Sequence, residues 1–240
     1  MEDIKDFIKN EAKKNNINLS EKQIELFYLY MNNLIEWNEK INLTAIKEKK
    51  DIVIKHFIDS IVIKDEIVGN KMLDLGSGAG FPGIPIKIVN NDMDITLLDA
   101  VNKKVNFMND TIEKLNLNNI IAIHNRAEDL AHDEKYREKY DIVVSRAVSN
   151  MTTLVEYMLP FLKKGGKCIC LKGPDVDKEL EESKNAIRIL GGKIEKKIQY
   201  ELNGNGRSII VILKEKHTEQ IYPRKQGKPI KEPLKWKWKK

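Results

Sequence analysis

The sequence predicts an α/β fold: a seven-stranded, mostly parallel sheet, preceded by helices and followed by a basic arm. Three observations predict it. The block Lys71-Met-Leu-Asp-Leu-Gly-Ser-Gly-Ala-Gly-Phe-Pro-Gly-Ile-Pro85 runs from a short apolar stretch through alternate glycines into a segment opened by Pro82, which reads as strand, glycine loop, helix. From Lys71 onward, strand-like and helix-like segments alternate, the signature of a sheet covered on both faces. The strand Asp94-Ile-Thr-Leu-Leu-Asp99 ends in an acid about 20 residues past the glycines, where a carboxylate meets the hydroxyls of a ribose in nucleotide-binding folds.

Residues 1–65 read as a helical extension. Ser20-Glu-Lys-Gln23 is a capping-box pattern. Ile24, Phe27, Tyr28, Met31, Leu34 and Ile35 then recur at three and four, a stripe that suits docking against the main domain better than a ligand site. Trp37–Ile46 has the Asn and Thr content of a loop. A second amphipathic helix begins near Asp51, and its His56 and Asp59 are either a proton-transfer pair or, as packing statistics favour, ordinary buried polar groups.

Residues 66–216 form the main domain. Strands fall near 71–75, 94–98, 120–124, 140–145, 167–172, 194–200 and 207–214, with helices near 83–90, 101–116, 151–160 and 177–190. Leu202-Asn-Gly-Asn-Gly206 is hairpin-like, so the last strand is expected to be antiparallel. Residues 217–240 form the third segment. Pro223, Pro229 and Pro233 deny it a long helix or a central strand, leaving an extended arm loosely held at its end.

Composition narrows the function. The 41% hydrophobic content is enough for a core, and mean hydropathy of −0.46 fits a soluble protein. No run approaches the roughly 20 apolar residues of a membrane span, and Met1-Glu-Asp-Ile-Lys5 is unlike a signal peptide; a cytoplasmic location is expected. Cys168 and Cys170 read as small buried strand residues, so neither a disulfide framework nor a metal site is expected. Residues 217–240 carry eight Lys/Arg against two Asp/Glu, leaving 34 of each sign elsewhere. All of the net charge of +6 thus sits in the arm, which points to an anionic partner there.

The glycine spacing is Gly-x-Gly-x-Gly over Gly76, Gly78 and Gly80, not the Gly-x-Gly-x-x-Gly of dinucleotide enzymes, which disfavours a nicotinamide dehydrogenase. With Asp74 before it and Asp99 after it, the chain resembles the class I S-adenosylmethionine-dependent methyltransferases, whose fold is Rossmann-like. Four stations then converge on one sheet edge. Gly76 and Gly78 lie against the methionine part of the cofactor, and Phe81 packs either beside the ligand or in the core. Asp99 takes the ribose, or caps the next helix. Ala127 and Glu128, within Asn125-Arg-Ala-Glu-Asp129, stand where this fold meets adenine. Arg146, at the end of Asp141-Ile-Val-Val-Ser-Arg146, either holds the cofactor carboxylate or pairs with an acid such as Glu128.

Ser145-Arg146-Ala147 carries neither the Asn/Asp-Pro-Pro-Tyr/Phe of many amino-group methyltransferases nor a Pro-Cys nucleophile. A ring nitrogen with a free lone pair, such as guanine N7, needs no base, only alignment. No general base is therefore expected, and no catalytic residue is assigned beyond Arg146 as a candidate.

Further blocks narrow the resemblance to the ribosomal small subunit methyltransferase G family, also called glucose-inhibited division protein B. They are Trp37-Asn-x-x-Ile-Asn-Leu-Thr44, His56-Phe-x-Asp-Ser60, the glycine block itself, Leu98-Asp-Ala-x-x-Lys-Lys104, Arg126-Ala-Glu128, Ser145-Arg-Ala-Val148, Leu171-Lys-Gly173 and Tyr222-Pro-Arg-Lys-x-Gly-x-Pro-x-Lys-x-Pro-Leu234. Ala100 stands where some relatives carry serine. The resemblance implies methylation of guanine N7 in the decoding-region loop of 16S ribosomal RNA, naked or in the small-subunit particle, with S-adenosyl-L-methionine; separately, no long apolar heptad argues for an oligomer, so a monomer is expected, and no metal. It also implies cofactor contacts at Gly76, Phe81, Ala127, Glu128 and Arg146. On this reading Lys172, Arg224, Lys225, Lys228 and Lys231 meet RNA phosphates, and Trp236 and Trp238 are candidates for base stacking. Two other readings compete: a small-molecule methyltransferase with an incidental basic tail, and a cofactor-sensing RNA-binding protein without catalysis.

Overall fold

A computed structural model of the chain describes residues 3–146 and 149–235. Its centre is β1 (Lys71–Leu75), which pairs in parallel with β2 (Asp94–Asp99) on one side and β4 (Tyr140–Arg146) on the other. With β3 (Ile120–His124), β5 (Leu162–Lys172), β6 (Gly192–Leu202) and β7 (Asn205–Lys214), the sheet order is β3-β2-β1-β4-β5-β7-β6. Strand order reverses between β1 and β4, so the chain leaves these strands in opposite directions and a crevice opens beyond their carboxyl ends. The antiparallel strand is β7, inserted between β5 and β6. Its turn is Asn203-Gly204, both with positive φ (50° and 76°), the Asn-Gly hairpin geometry.

Alternate residues of β1 face opposite layers. Met72 packs into one core with the N-terminal helices, whereas Leu73 and Leu75 pack into the other. The first layer holds α1 (Ile4–Lys14), α2 (Glu21–Asn38), α5 (Gly83–Val89) and α6 (Asn102–Lys114). The second holds α7 (Ala127–Leu130), α8 (Met151–Met158) and α9 (Asp177–Ile189). Ser20 closes the expected capping box: Gln23 N donates to its Oγ at 3.3 Å, and its own N donates to Gln23 Oε1 at 2.9 Å. The stripe does dock: Ile24, Phe27, Met31 and Leu34 are buried. Polar contacts fix its depth, with Trp37 Nε1 and Asn33 Nδ2 both donating to Asp110 Oδ2, at 2.7 and 3.0 Å. Tyr30, outside the expected stripe, is fully buried and its hydroxyl donates to Ala79 O in the glycine loop.

The helix expected near Asp51 is composite. α3 (Lys49–Ile52) widens to a π-helix over Val53–Ile58, then returns to α geometry in α4 (Asp59–Ile61). Such wide turns accompany functional sites, and this one carries His56 toward the sheet edge.

Without a long helix or strand among its described residues, as expected, the arm is strapped along the domain and includes a one-turn helix, α10 (Lys228–Lys231); its end, expected to be loosely held, lies outside the described residues. Arg137 explains the docking. Its buried guanidinium donates to four main-chain carbonyls, Ala131 O (3.0 Å) and, in the arm, Thr218 O (2.9 Å), Glu219 O (3.0 Å) and Tyr222 O (2.8 Å). His132 Nε2 lies 2.8 Å from Pro223 O. The prolines prevent a long regular element without preventing packing: Pro229 is buried and its carbonyl accepts from Thr153 Oγ1 at 3.1 Å. Trp236 and Trp238 lie outside the described residues. No helix among the described residues is long and apolar enough to cross a membrane.

Candidate active site

A cavity of about 530 Å³ lies at the carboxyl ends of β1 to β4, within the usual size of small-molecule sites. Gly76, Asp99, Ala127, Glu128 and Arg146 line it together, with Leu75, Leu98, Lys104, Arg126 and Tyr157 among the others. These five expected residues, spread over 71 positions of sequence, thus face one space.

The loop from Gly76 folds back over β2. Gly76 N and Ser77 N donate to Leu98 O at 2.8 and 3.1 Å. Gly78, at φ 62°, turns its N–H onto Asp99 Oδ2 at 2.9 Å, while Val101 N donates to Asp99 Oδ1 at 2.8 Å. The Asp99 carboxylate is therefore locked in place, and each oxygen keeps a further lone pair for a ligand in the cavity it lines. Gly78 acts through that lock and does not itself line the cavity. Gly83 is required sterically: a Cβ there would stand 2.3 Å from Leu97 Cδ2 and 2.8 Å from Asp74 Oδ2. Asp74, fully buried, accepts from Gly83 N at 2.8 Å through Oδ2, whereas Oδ1 has no partner. Burial pushes its carboxyl up to about 7.

Arg146 joins the cavity to the N-terminal extension. Nη1 lies 3.4 Å from Asp59 Oδ2 and 3.3 Å from Lys55 O, and the guanidinium sits 4.9 Å above the Phe81 ring. Asp59, also buried, accepts from Tyr200 Oη at 3.2 Å and Arg207 Nε at 3.3 Å as well. Arg146 pairs with this acid and not with Glu128, the partner weighed from sequence. His56 does not pair with Asp59 either. Its ring stacks on Phe81 (centroids 4.5 Å, 15°), with Nδ1 3.3 Å from Arg146 Nη2 and Nε2 2.8 Å from Thr44 Oγ1. Because the guanidinium can only donate, Nδ1 accepts and the ring proton is assigned to Nε2. Burial, then the Arg146 charge, lowers the imidazole to about 3. Phe81 is buried in this aromatic cluster, one layer behind Arg146, and does not line the cavity.

The expected phosphate contacts divide. Lys172 turns inward, its Nζ 2.6 Å from Ser149 O and 2.8 Å from Glu179 Oε1, with 9% of the side chain exposed. Arg224 grips the fully buried Glu156 in a fork, Nε to Oε1 at 2.8 Å and Nη2 to Oε2 at 2.6 Å, and its own N adds a third bond at 2.9 Å. Both of these cations hold structural partners within the chain. Lys225, Lys228 and Lys231 remain exposed.

Lys104, Tyr157 and Ile230 are among the lining residues that the sequence assigned no site role. Lys104 and Tyr157 lie on helices whose periodicity says only which face is buried. Ile230 comes from the arm, about 100 residues past Ala127, with no local signal of its position. Cys168 and Cys170 are buried free thiols 3.6 Å apart, with Met158 Sδ beside them. Among the described residues no cluster has the makings of a metal site.

A family model described as rRNA small subunit methyltransferase G matches residues 23–210. The chain is 48% identical over 239 residues to the ribosomal RNA small subunit methyltransferase G of Desulforamulus reducens, covering 98% of this chain and all of that one. It is 48% identical over 226 residues to the protein of the same name from Lactococcus lactis subsp. cremoris, covering 91% and 94%. Among solved structures it is similar in fold to a ribosomal protein L11 methylase from Lactobacillus delbrueckii, with a TM-score of 0.52 at 14% identity over 68% of this chain and 79% of that one.

Proposed function

The chain belongs to the ribosomal RNA small subunit methyltransferase G family, and we propose that it moves a methyl group from S-adenosylmethionine to N7 of a guanine in the decoding-region loop of 16S ribosomal RNA. The observation that carries this reading is the convergence of Gly76, Asp99, Ala127, Glu128 and Arg146 on one cavity. Those residues fit the cofactor. Asp99, held by two main-chain N–H groups, offers acceptors to ribose hydroxyls; the backbone of Ala127 and the carboxylate of Glu128 suit the adenine edge; Arg146 supplies positive charge for a carboxylate. Bound there, S-adenosylmethionine supplies an electrophilic methyl on a sulfonium.

The protein's task is then mainly geometric. Guanine N7 already carries the attacking lone pair, so no side chain need remove a proton before transfer. The loop, Asp99 and Arg146 fix one partner, the RNA surface fixes the other, and alignment lowers the barrier. Lys225, Lys228 and Lys231, exposed on the strap that borders the cavity, are placed to neutralise phosphates of an incoming RNA.

The test is transfer of labelled methyl from the cofactor to ribosomal RNA of a strain lacking the gene, followed by nucleoside analysis and mapping. Label in 7-methylguanosine at one position of the decoding-region loop is expected. Label confined to small molecules overturns the RNA assignment.

A further inference from the structure

The arm does more than carry positive charge, because it reaches the cavity. Thr153 and Tyr157 are one turn apart on α8. Thr153 holds Pro229 through its carbonyl, and the next residue, Ile230, lines the same cavity as Tyr157 and Glu128. Swapping the side-chain amide of Gln226, which satisfies both of its ends, brings its oxygen within 3.1 to 3.3 Å of Nε, Nη1 and Nη2 of Arg126. Arg126 precedes Ala127 and lines the same cavity. The arm therefore meets the Arg126–Glu128 station at two residues, Gln226 and Ile230. Ile230 lines the cavity yet is 65% exposed. An apolar side chain among the lining of a ligand cavity suits an apolar face of the ligand.

We propose that Ile230 is a cofactor-binding residue that covers the adenine ring at the mouth of the cavity, with Gln226 steadying Arg126 beneath it. The proposal deepens the reading above and rests on it. The strap that shows Lys225, Lys228 and Lys231 to the RNA thus shows Ile230 to the cofactor. A single short segment meets both ligands.

The experiment is calorimetric titration of the full chain with S-adenosylhomocysteine and, separately, with 5′-methylthioadenosine, which keeps the base and lacks the amino acid. Ile230→Asp should weaken both by about tenfold, the loss expected when one apolar contact is replaced by a charge. Ile230→Leu should stay within about twofold of wild type. Because the side chain is mostly exposed without ligand, the thermal midpoint of the apo protein should be unchanged in both. Ile230→Ala, with a smaller loss of affinity, covers the case in which the aspartate disturbs the strap. Wild-type affinity in Ile230→Asp overturns the proposal, as does a loss confined to S-adenosylhomocysteine, which would place the contact away from the base. Failure of the wild-type chain itself to bind either compound would instead sink the cofactor reading, and the proposal with it.

Discussion

Arg146 Nη1 stands 3.4 Å from Asp59 Oδ2, and this pair couples the strand end at the cavity to the helical extension 87 residues earlier. Both side chains are largely buried, and Asp59 also receives Arg207 and Tyr200. Removing one member of a buried ion pair leaves the other uncompensated, at a cost of about 3–5 kcal/mol. Asp59→Ala should therefore lose stability on that scale in urea unfolding. It should also weaken cofactor binding, since Arg146 loses what orients it. Arg146→Ala should cost about 1–3 kcal/mol in cofactor affinity or turnover; unchanged kinetics would confine it to structure.

His56 contributes an acid-sensitive term to the stability of the fold. Its folded pKa, near 3, lies below the ordinary 6.5, so the unfolded chain takes up a proton that the folded chain refuses. The stability this contributes is complete above about pH 6.5 and is lost as pH falls toward 3. His56→Gln should lower the slope of unfolding free energy against pH between about 6 and 4, where Asp74, raised to about 7 in the folded chain, contributes in the opposite sense. An unchanged slope there would assign the acid sensitivity to other groups.

The two kinds of cation in the arm should separate in experiment. Arg224→Ala strands the buried Glu156 carboxylate and should lower stability by about 3 kcal/mol or more. Lys225→Ala, Lys228→Ala and Lys231→Ala should each change stability by less than about 0.5 kcal/mol. For every phosphate contact removed, the slope of log affinity for RNA against log salt should fall by about 0.7–0.9. Salt titrations of RNA binding on the four variants check both halves.

Gly83→Ala tests the close approach of α5 to the sheet. The added methyl would collide with Leu97 and with the Asp74 carboxylate, and overpacking of this kind costs about 1–3 kcal/mol. A lowered thermal midpoint is expected; an unchanged one would mean that the loop relaxes freely.

The parts of the fold that read plainly were those written locally. The glycine block, the acid closing β2 and the alternation of strand and helix all concern neighbours within a turn or a strand, and they led directly to Gly76, Asp99 and the sheet. What escaped was pairing at a distance. Arg224 counts as surplus charge in the sequence because its neutralising partner, Glu156, lies 68 residues away. Lys172 is similar, since only the return of α9 brings Glu179 beside it. Proline spacing excluded a long helix in the arm but carried no word of Arg137, whose four carbonyl acceptors are main-chain atoms and leave no trace in side-chain pattern.

That clasp at Arg137 has a bearing on how the enzyme meets its substrate. Residues 218–222 cannot peel away without stripping the buried Arg137 guanidinium of three of its four carbonyl acceptors, so the main chain that carries the downstream lysines is held against the domain. The entropy of arranging them is lost when the protein folds and not when RNA arrives. On the proposed reading, RNA meeting this surface would dock onto a rigid template and not be captured by a loose tether: its reach is short, but each correct encounter loses little freedom.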